Sequence, residues 1–233
     1  MIMNSFLQNN VYFGFFLAIG SYLIGVYLQK RFPYTIFNPL LVSTLICIAV
    51  LLLFRIDYEV FDAGASHITY FLTPCTVCLA IPMYRQIMVL KKNLAAILIS
   101  IFSGCLAAAL SIWGLCKLFH LNAEVYHSLQ PKSVTTAIAM GVSEELGGIT
   151  TLTVAAVVVT GLFGAVAAKS LLRIFRIKHP IAVGLAIGNS AHALGTSRAM
   201  EIGELEGAMS SLAVVVAGIV TVLLASIFSG LIS

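Results

Sequence analysis

Gln130-Pro131-Lys132-Ser133-Val134-Thr135-Thr136-Ala137-Ile138-Ala139 sets a lysine, three hydroxyls and a proline inside a chain otherwise built for lipid. A cation at membrane depth is costly unless it pairs or binds something, so the segment is a functional candidate by default. Proline at the first helical position, followed by Ser133, Thr135 and Thr136, predicts a helix N-terminus with free N–H groups and partial positive charge. Lys132 adds a full charge, and a small carboxylate fits hydroxyl and backbone donors together. The structural alternative has Lys132 snorkelling to the interface while the hydroxyls bond back to their own helix.

A later segment, Gly188-Asn189-Ser190-Ala191-His192-Ala193-Leu194-Gly195-Thr196-Ser197-Arg198, repeats this recipe of small residues, hydroxyls and one cation. Arg198 offers a planar fork to a carboxylate, and His192 titrates near physiological pH, which makes it a candidate proton carrier. Each has a bland counterpart. Glu201 follows Arg198 by three residues and suits an ordinary ion pair, and His192 can simply satisfy a backbone carbonyl.

Composition fixes the solvent around these segments. Of 233 residues, 60% are hydrophobic and 9% charged, and the mean hydropathy is +1.04; soluble domains carry roughly 25% charge. The chain reads as an all-α multi-pass membrane protein. Its net charge of +4 comes from Lys/Arg clusters between apolar runs, a topology signal rather than a nucleic-acid surface. The first ten residues lack a basic n-region and a small-residue cleavage site, so the first span is expected to be retained. The five cysteines lie in or beside apolar segments as small hydrophobes. Cys75-Thr-Val-Cys78 has no second pair or nearby histidine to complete a metal set, so no metal or cofactor is expected.

Apolar runs at 11–28, 39–54, 94–119, 149–168 and 208–232 predict continuous spans. Two further runs are interrupted, 68–84 by Pro74 and Pro82, and 180–200 by Gly184, Gly188, Asn189 and Gly195. The total is about seven crossings, two of them broken helices, with a re-entrant hairpin within 124–148. Lys30/Arg31, Arg85/Lys91/Lys92 and Lys169/Arg173/Arg176/Lys178 mark cytoplasmic loops, which places the N-terminus outside and the C-terminus in the cytoplasm.

Asn38-Pro39-Leu-Leu-Val-Ser43-Thr44 opens the same order of elements as Gln130-Pro131-Lys-Ser133-Val-Thr135-Thr136, in the opposite sense. This suggests an N-terminal scaffold helix (1–34) followed by two inverted repeats (35–123 and 124–233), an arrangement typical of secondary transporters. Thr73 and Thr76 beside Pro74 offer hydroxyls and unbonded carbonyls to the site, or mark a plain kink. Glu144 and Glu145 precede Gly147-Gly148 and read as an external helix cap, with Glu145 a second proton-coupling candidate. Gly184-Leu-Ala-Ile-Gly188 has the small-xxx-small spacing of closely approaching helices, a weak pointer to a dimer face.

The chain resembles the LrgB/CidB family of bacterial inner-membrane proteins over about 38–233. The carriers are Asn38-Pro39-Leu40-Leu41, Leu79-Ala80-Ile81-Pro82-Met83-Tyr84, Pro131 to Thr136, Gly147-Gly148-Ile149 and Ala191 to Glu201. Thr73-Pro74-Cys75 stands where the family usually has Gly-Pro-Ala, and Ala137 and Thr150 replace frequent prolines. These changes bear on helix breaking and substrate preference. The family's labels diverge: plastid members are considered carriers of glycolate and glycerate, some bacterial members are linked to pyruvate, and many are labelled antiholin-like regulators of murein hydrolases and lysis.

The resemblance implies location in the bacterial cytoplasmic (inner) membrane, and a small LrgA/CidA-like holin-type membrane protein as a partner. A homodimer in lipid is expected, with no nucleic-acid partner. Two functions follow as expectations. One is a secondary transporter of small monocarboxylates (glycolate, glycerate, lactate or pyruvate), proton-coupled or exchanging, with the substrate at Lys132, Ser133, Thr135, Thr136, Asn189, Ser190, His192, Thr196, Ser197, Arg198, Thr73 and Thr76. The other is an antiholin-like regulator with no substrate of its own. An enzyme is disfavoured, because the sequence presents no acidic pair, metal set or nucleophile–base arrangement.

Overall fold

Helix starts follow the local chemistry of asparagine and proline. Asn38 Oδ1 accepts the N–H of Leu40 at 2.9 Å and that of Leu41 at 3.4 Å, ahead of a proline in the first turn. Pro180 likewise sits in the first turn of a later helix, though His179 before it makes no side-chain cap bond. The computed structural model describes residues 12–32, 37–71, 74, 77, 78 and 80–232. All regular structure among them is helical.

By internal contacts the chain divides into Met1–Cys78 and Leu79–Ser233. The first unit has α1 (Phe13–Arg31), α2 (Pro39–Phe54) and α3 (Tyr58–Thr69). Both later helices pack on α1, and two glycines of α1 permit it: a Cβ on Gly25 would meet the Pro39 backbone at 2.8 Å, and one on Gly14 would strike the Phe61 carbonyl. Between them the Ser21 hydroxyl lies 2.9 Å from Ser43 Oγ and 3.3 Å from Cys47 Sγ. Small contacts and shared hydroxyls of this kind join helices where lipid removes the hydrophobic drive.

The second unit runs α4 (Ala80–Arg85), α5 (Ile87–Lys92), α6 (Leu94–Leu118), α7 (Ala123–Leu129), α8 (Thr136–Glu145), α9 (Thr150–Ile174), α10 (Pro180–Ile202) and α11 (Glu204–Phe228), then a 3-10 turn, Ser229–Leu231. At its centre is α10, in contact with α11, α9 and α6. A Cβ on Gly188 would lie 2.8 Å from Ser210 Cα and collide with its carbonyl, and Gly184 faces the Glu206 carbonyl. The Gly184/Gly188 pair thus makes its close approach to α11 of the same chain. Across the other side, Gly164 of α9 faces Ala191, and Gly161 faces the His192 ring.

The outward faces of α6, α9 and α11 present Ile99, Phe102, Phe163, Ile219, Leu223 and Ile227, all well exposed. Water would not stabilise so continuous an apolar coat; lipid does. Phe13–Arg31, Leu94–Leu118, Thr150–Ile174 and Glu204–Leu231 are long and apolar enough to cross a membrane, and Pro39–Phe54 is a shorter apolar helix. The molecule is an all-α multi-pass membrane protein.

Boundaries shift in places from the sequence reading. The span expected at 149–168 continues to Ile174, and that at 208–232 begins at Glu204. Within the interrupted run 68–84, residues 72, 73, 75, 76 and 79 lie outside the described residues. In α10, His192 has φ 42° and ψ −138°, non-helical values flanked by helix on both sides. A non-glycine residue held there costs on the order of 1–3 kcal/mol and persists only when its neighbours hold it.

The α10–α11 seam makes a direct prediction. Gly188→Val is expected to lower the melting temperature of the detergent-purified protein by several degrees, because the rigid Ser210 backbone cannot retreat from the added side chain. Gly114 has nothing within 4 Å of its prospective Cβ, so Gly114→Ala is expected to be neutral or stabilising by up to about 1 kcal/mol. Equal melting of both variants with the parent protein would remove close glycine packing as the basis of this seam.

Candidate functional site

Helix α7 ends against the C-terminus of α11. The Tyr126 hydroxyl donates to the Phe228 carbonyl at 3.0 Å, His127 Nε2 lies 3.2 Å from the Ser229 carbonyl, and Gln130 Nε2 donates to the Ala225 carbonyl at 3.2 Å. Positions 126, 127 and 130 share one face of the helix. The Ser128 hydroxyl donates to the Glu124 carbonyl at 2.6 Å and accepts the Ile149 N–H at 2.7 Å, while Thr153 donates to Ser143 at 2.7 Å. These bonds tie α7 to α11, and α8 to α9.

The turn between α7 and α8 therefore has little freedom. Lys132 N–H bonds the Leu129 carbonyl at 3.1 Å and Val134 N–H the Pro131 carbonyl at 3.3 Å. Pro131 consequently sits in a turn rather than at a helix start, and the next helix begins only at Thr136. The expected first-turn placement of Lys132 is corrected by these contacts. At the far end of α8, Gly147 at φ 75° and a Gly148 N–H to Ser143 carbonyl bond of 2.7 Å close the helix. Backbone makes that cap, and the Glu144 and Glu145 side chains remain exposed.

Beside this turn lies a groove of about 960 Å³ between α6, α9 and α10. Ser100, Ser103, Gly104, Ala107 and Ser111 of α6 form one wall, Thr160, Phe163 and Gly164 of α9 another, and Ala186, Asn189 and Ser190 of α10 a third. Lys132 and Ser133 enter it from the turn, with the ammonium 3.3 Å from Ser133 Oγ. The lysine is half-buried, and no ion pair involves it among the described residues. Asn189 is held by α6, its Nδ2 donating to the Ile101 carbonyl at 3.4 Å and its Oδ1 accepting from Cys105 Sγ at 3.2 Å.

Lys132, Ser133, Asn189 and Ser190 thus share the groove, and the other site candidates among the described residues do not line it. Thr135 and Thr136 stand at the start of α8, where Thr135 makes no side-chain cap bond. His192 is buried, with Nε2 3.1 Å from the Val157 carbonyl; a carbonyl only accepts, so that nitrogen carries the proton. Thr196 bonds the His192 carbonyl at 3.1 Å and meets Ser210 Oγ at 2.9 Å. Ser197 is exposed, and Arg198 forms an ion pair with Glu201 on its own helix. Thr73 and Thr76 lie outside the described residues.

Sequence reading missed the α6 wall and Gln130. Ser100, Ser103, Ala107 and Ser111 recur at three- and four-residue intervals, a helical stripe of small residues in an otherwise bulky span, which could have signalled a lined face. Among the described residues no cluster of three or more His, Cys, Asp or Glu could hold a metal. Chemically, the groove offers one ammonium with hydroxyl and amide donors, a set suited to holding a small anion.

Residues 18–231 match the family model described as LrgB-like family. Antiholin-like protein LrgB of Bacillus subtilis (strain 168) is 38% identical over 222 residues, covering 95% of this chain and 96% of the relative. The proteins of the same name from Bacillus mycoides (strain KBAB4) and Bacillus cereus (strain B4264) are each 38% identical over 218 residues, 93% of this chain and 95% of theirs. No solved structure matches the chain. With both the family match and these relatives spanning nearly its whole length, the chain belongs to the LrgB-like family.

Proposed function

We propose that the protein is a secondary transporter of small monocarboxylates, of the glycolate, glycerate, lactate or pyruvate type, whose carboxylate is held at the Lys132 end of the groove. One observation carries this reading: a half-buried ammonium without a carboxylate partner among the described residues stands in a groove between apolar helices. A charge so placed is costly unless an anion compensates it. The Ser133 hydroxyl and the second Asn189 amide proton add neutral donors to the same groove, while Ser190 gives its proton to the Ala186 carbonyl. The non-helical residue in α10 lies three positions from Asn189, so a change at His192 would move a groove residue directly. The reading includes two inverted repeats, a homodimer and an external N-terminus.

A second reading, that the protein is an antiholin-like regulator acting through a membrane partner, is favoured by the names of the Bacillus relatives. Uptake of labelled glycolate, lactate and pyruvate into proteoliposomes, with and without a pH gradient, separates the two. A regulator without a substrate moves none of them.

Two variant tests follow. Lys132→Ala is expected to reduce uptake by roughly tenfold to a hundredfold, the scale of a charge-assisted hydrogen bond, while Arg198→Ala, which removes an arginine paired within α10, is expected to stay within about twofold of the parent protein. The opposite ranking would move the anion site to Arg198. His192→Gln retains a hydrogen-bond donor for Val157 but cannot titrate. If His192 couples protons, this variant keeps exchange and loses accumulation driven by a pH gradient; preserved accumulation makes the ring a positioning group.

A further inference from the structure

Gln130 carries an unmet hydrogen-bonding capacity. The side chain is 5% exposed, its Nε2 donates to the Ala225 carbonyl, and its Oε1 is buried without a partner among the described residues. The orientation of the amide is fixed, because a carbonyl can only accept and so must face the nitrogen. A buried acceptor left unpaired costs about 1–3 kcal/mol. Something is therefore expected to donate to it.

Gln130 lines a small cavity of about 10 Å³, also bordered by Cys105, Ser133, Asn189 and Thr221. That is room for one oxygen-sized group. Ser133 and Asn189 border the large groove as well, so the cavity is a side pocket of its Lys132 end. A cation is disfavoured there, because the Lys132 ammonium already sits on Ser133 Oγ. A buried water needs two to four polar partners; the Asn189 amide gives one proton to Ile101 and Thr221 gives its proton to Cys105 Sγ, while the Ser133 hydroxyl, which accepts from Lys132, keeps a proton to donate. The pocket thus pairs an acceptor, Gln130 Oε1, with a donor, the Ser133 hydroxyl, a set that suits a hydroxyl group.

We propose that Gln130 is a specificity-determining residue of the groove, its Oε1 accepting the hydroxyl on the carbon adjacent to the carboxylate of the bound acid. The assignment rests on the carrier reading above and deepens it: the site selects hydroxy acids over oxo acids and plain acids of equal length. An oxo group is itself an acceptor and leaves Oε1 unmet, and a methylene group offers no donor at all. Sites built to bond a substrate hydroxyl reject analogues that lack one far more strongly than apolar pockets reject a change of size.

Lactate, pyruvate and propionate share three carbons and differ at that one position. Measured in the same proteoliposomes, wild-type uptake is expected to favour lactate over the other two by roughly tenfold or more. Gln130→Met keeps the length and apolar stem, removes the acceptor, and is expected to bring the three rates within about threefold of one another. Because the readout is a ratio within one preparation, lower expression does not distort it. Gln130→Asn, which withdraws the oxygen by one methylene, serves if the methionine variant does not fold, with the same loss of preference expected. Equal wild-type rates for lactate and pyruvate would overturn the assignment and leave the carrier reading standing. So would an unchanged preference in the variant, which would mean that Oε1 holds a buried water only. Absence of uptake for every acid would remove the carrier reading, and the assignment with it.

Discussion

Helix ends leave carbonyls without partners, and in apolar surroundings no water is at hand to meet them. At the C-terminus of α11 the carbonyls of Phe228 and Ser229 are met by Tyr126 and His127, and that of Ala225, already bonded to the Ser229 N–H, accepts from Gln130 as well. Each such group left unpaired would cost several kcal/mol, so the set holds α7 firmly to α11. Gln130 is also the first residue of the turn that contains Lys132. The place of the charge follows from the need to close a helix.

The groove needs a second constraint, the position of α10. Glycines at 184 and 188 set it against the backbone of α11, while Gly161 and Gly164 admit His192 and Ala191 on the α9 side. With α10 so close on two sides, its Asn189 reaches α6 and bonds there. The strained conformation at His192 is held by the same neighbours: its ring is bonded to Val157 and its carbonyl to Thr196, which in turn meets Ser210 of α11. Close packing thus maintains a backbone irregularity at the midpoint of the central helix, near the residues that line the groove.

Much of this was legible in the chain itself. Long apolar runs predicted the spans, Asn38-Pro39 and Pro180 marked true helix starts, and the polar segments 130–139 and 188–198 contain four groove residues. What sequence alone left open or misplaced has physical causes. Pro131 looks like a helix start locally, but the bonds from Tyr126 and Gln130 to α11 set a turn there instead. Arg198 pairs with Glu201, the ordinary partner three residues on that the sequence already offered beside the anion reading. The orientation of His192 depends on Gly161 and Val157, far away in sequence. Gln130 drew no attention because an unmet acceptor is a property of packing, invisible in a string of residues.

The distribution of cations weighs on the two functional readings. Lys91, Lys92, Lys169, Arg173, Arg176 and Lys178 are exposed, free of the desolvation cost that burial imposes, and are the charges that a partner protein or a lipid headgroup would meet first. Lys132 differs from them by being half-buried at a groove whose other walls are chiefly small or apolar. A macromolecular partner gains little from a charge so recessed, whereas a small anion gains the full benefit of reduced solvent screening. The groove is far larger than a three-carbon acid, so its volume alone selects nothing. On the carrier reading proposed above, selectivity comes from the charged end, where Lys132, Ser133 and Asn189 line the same groove.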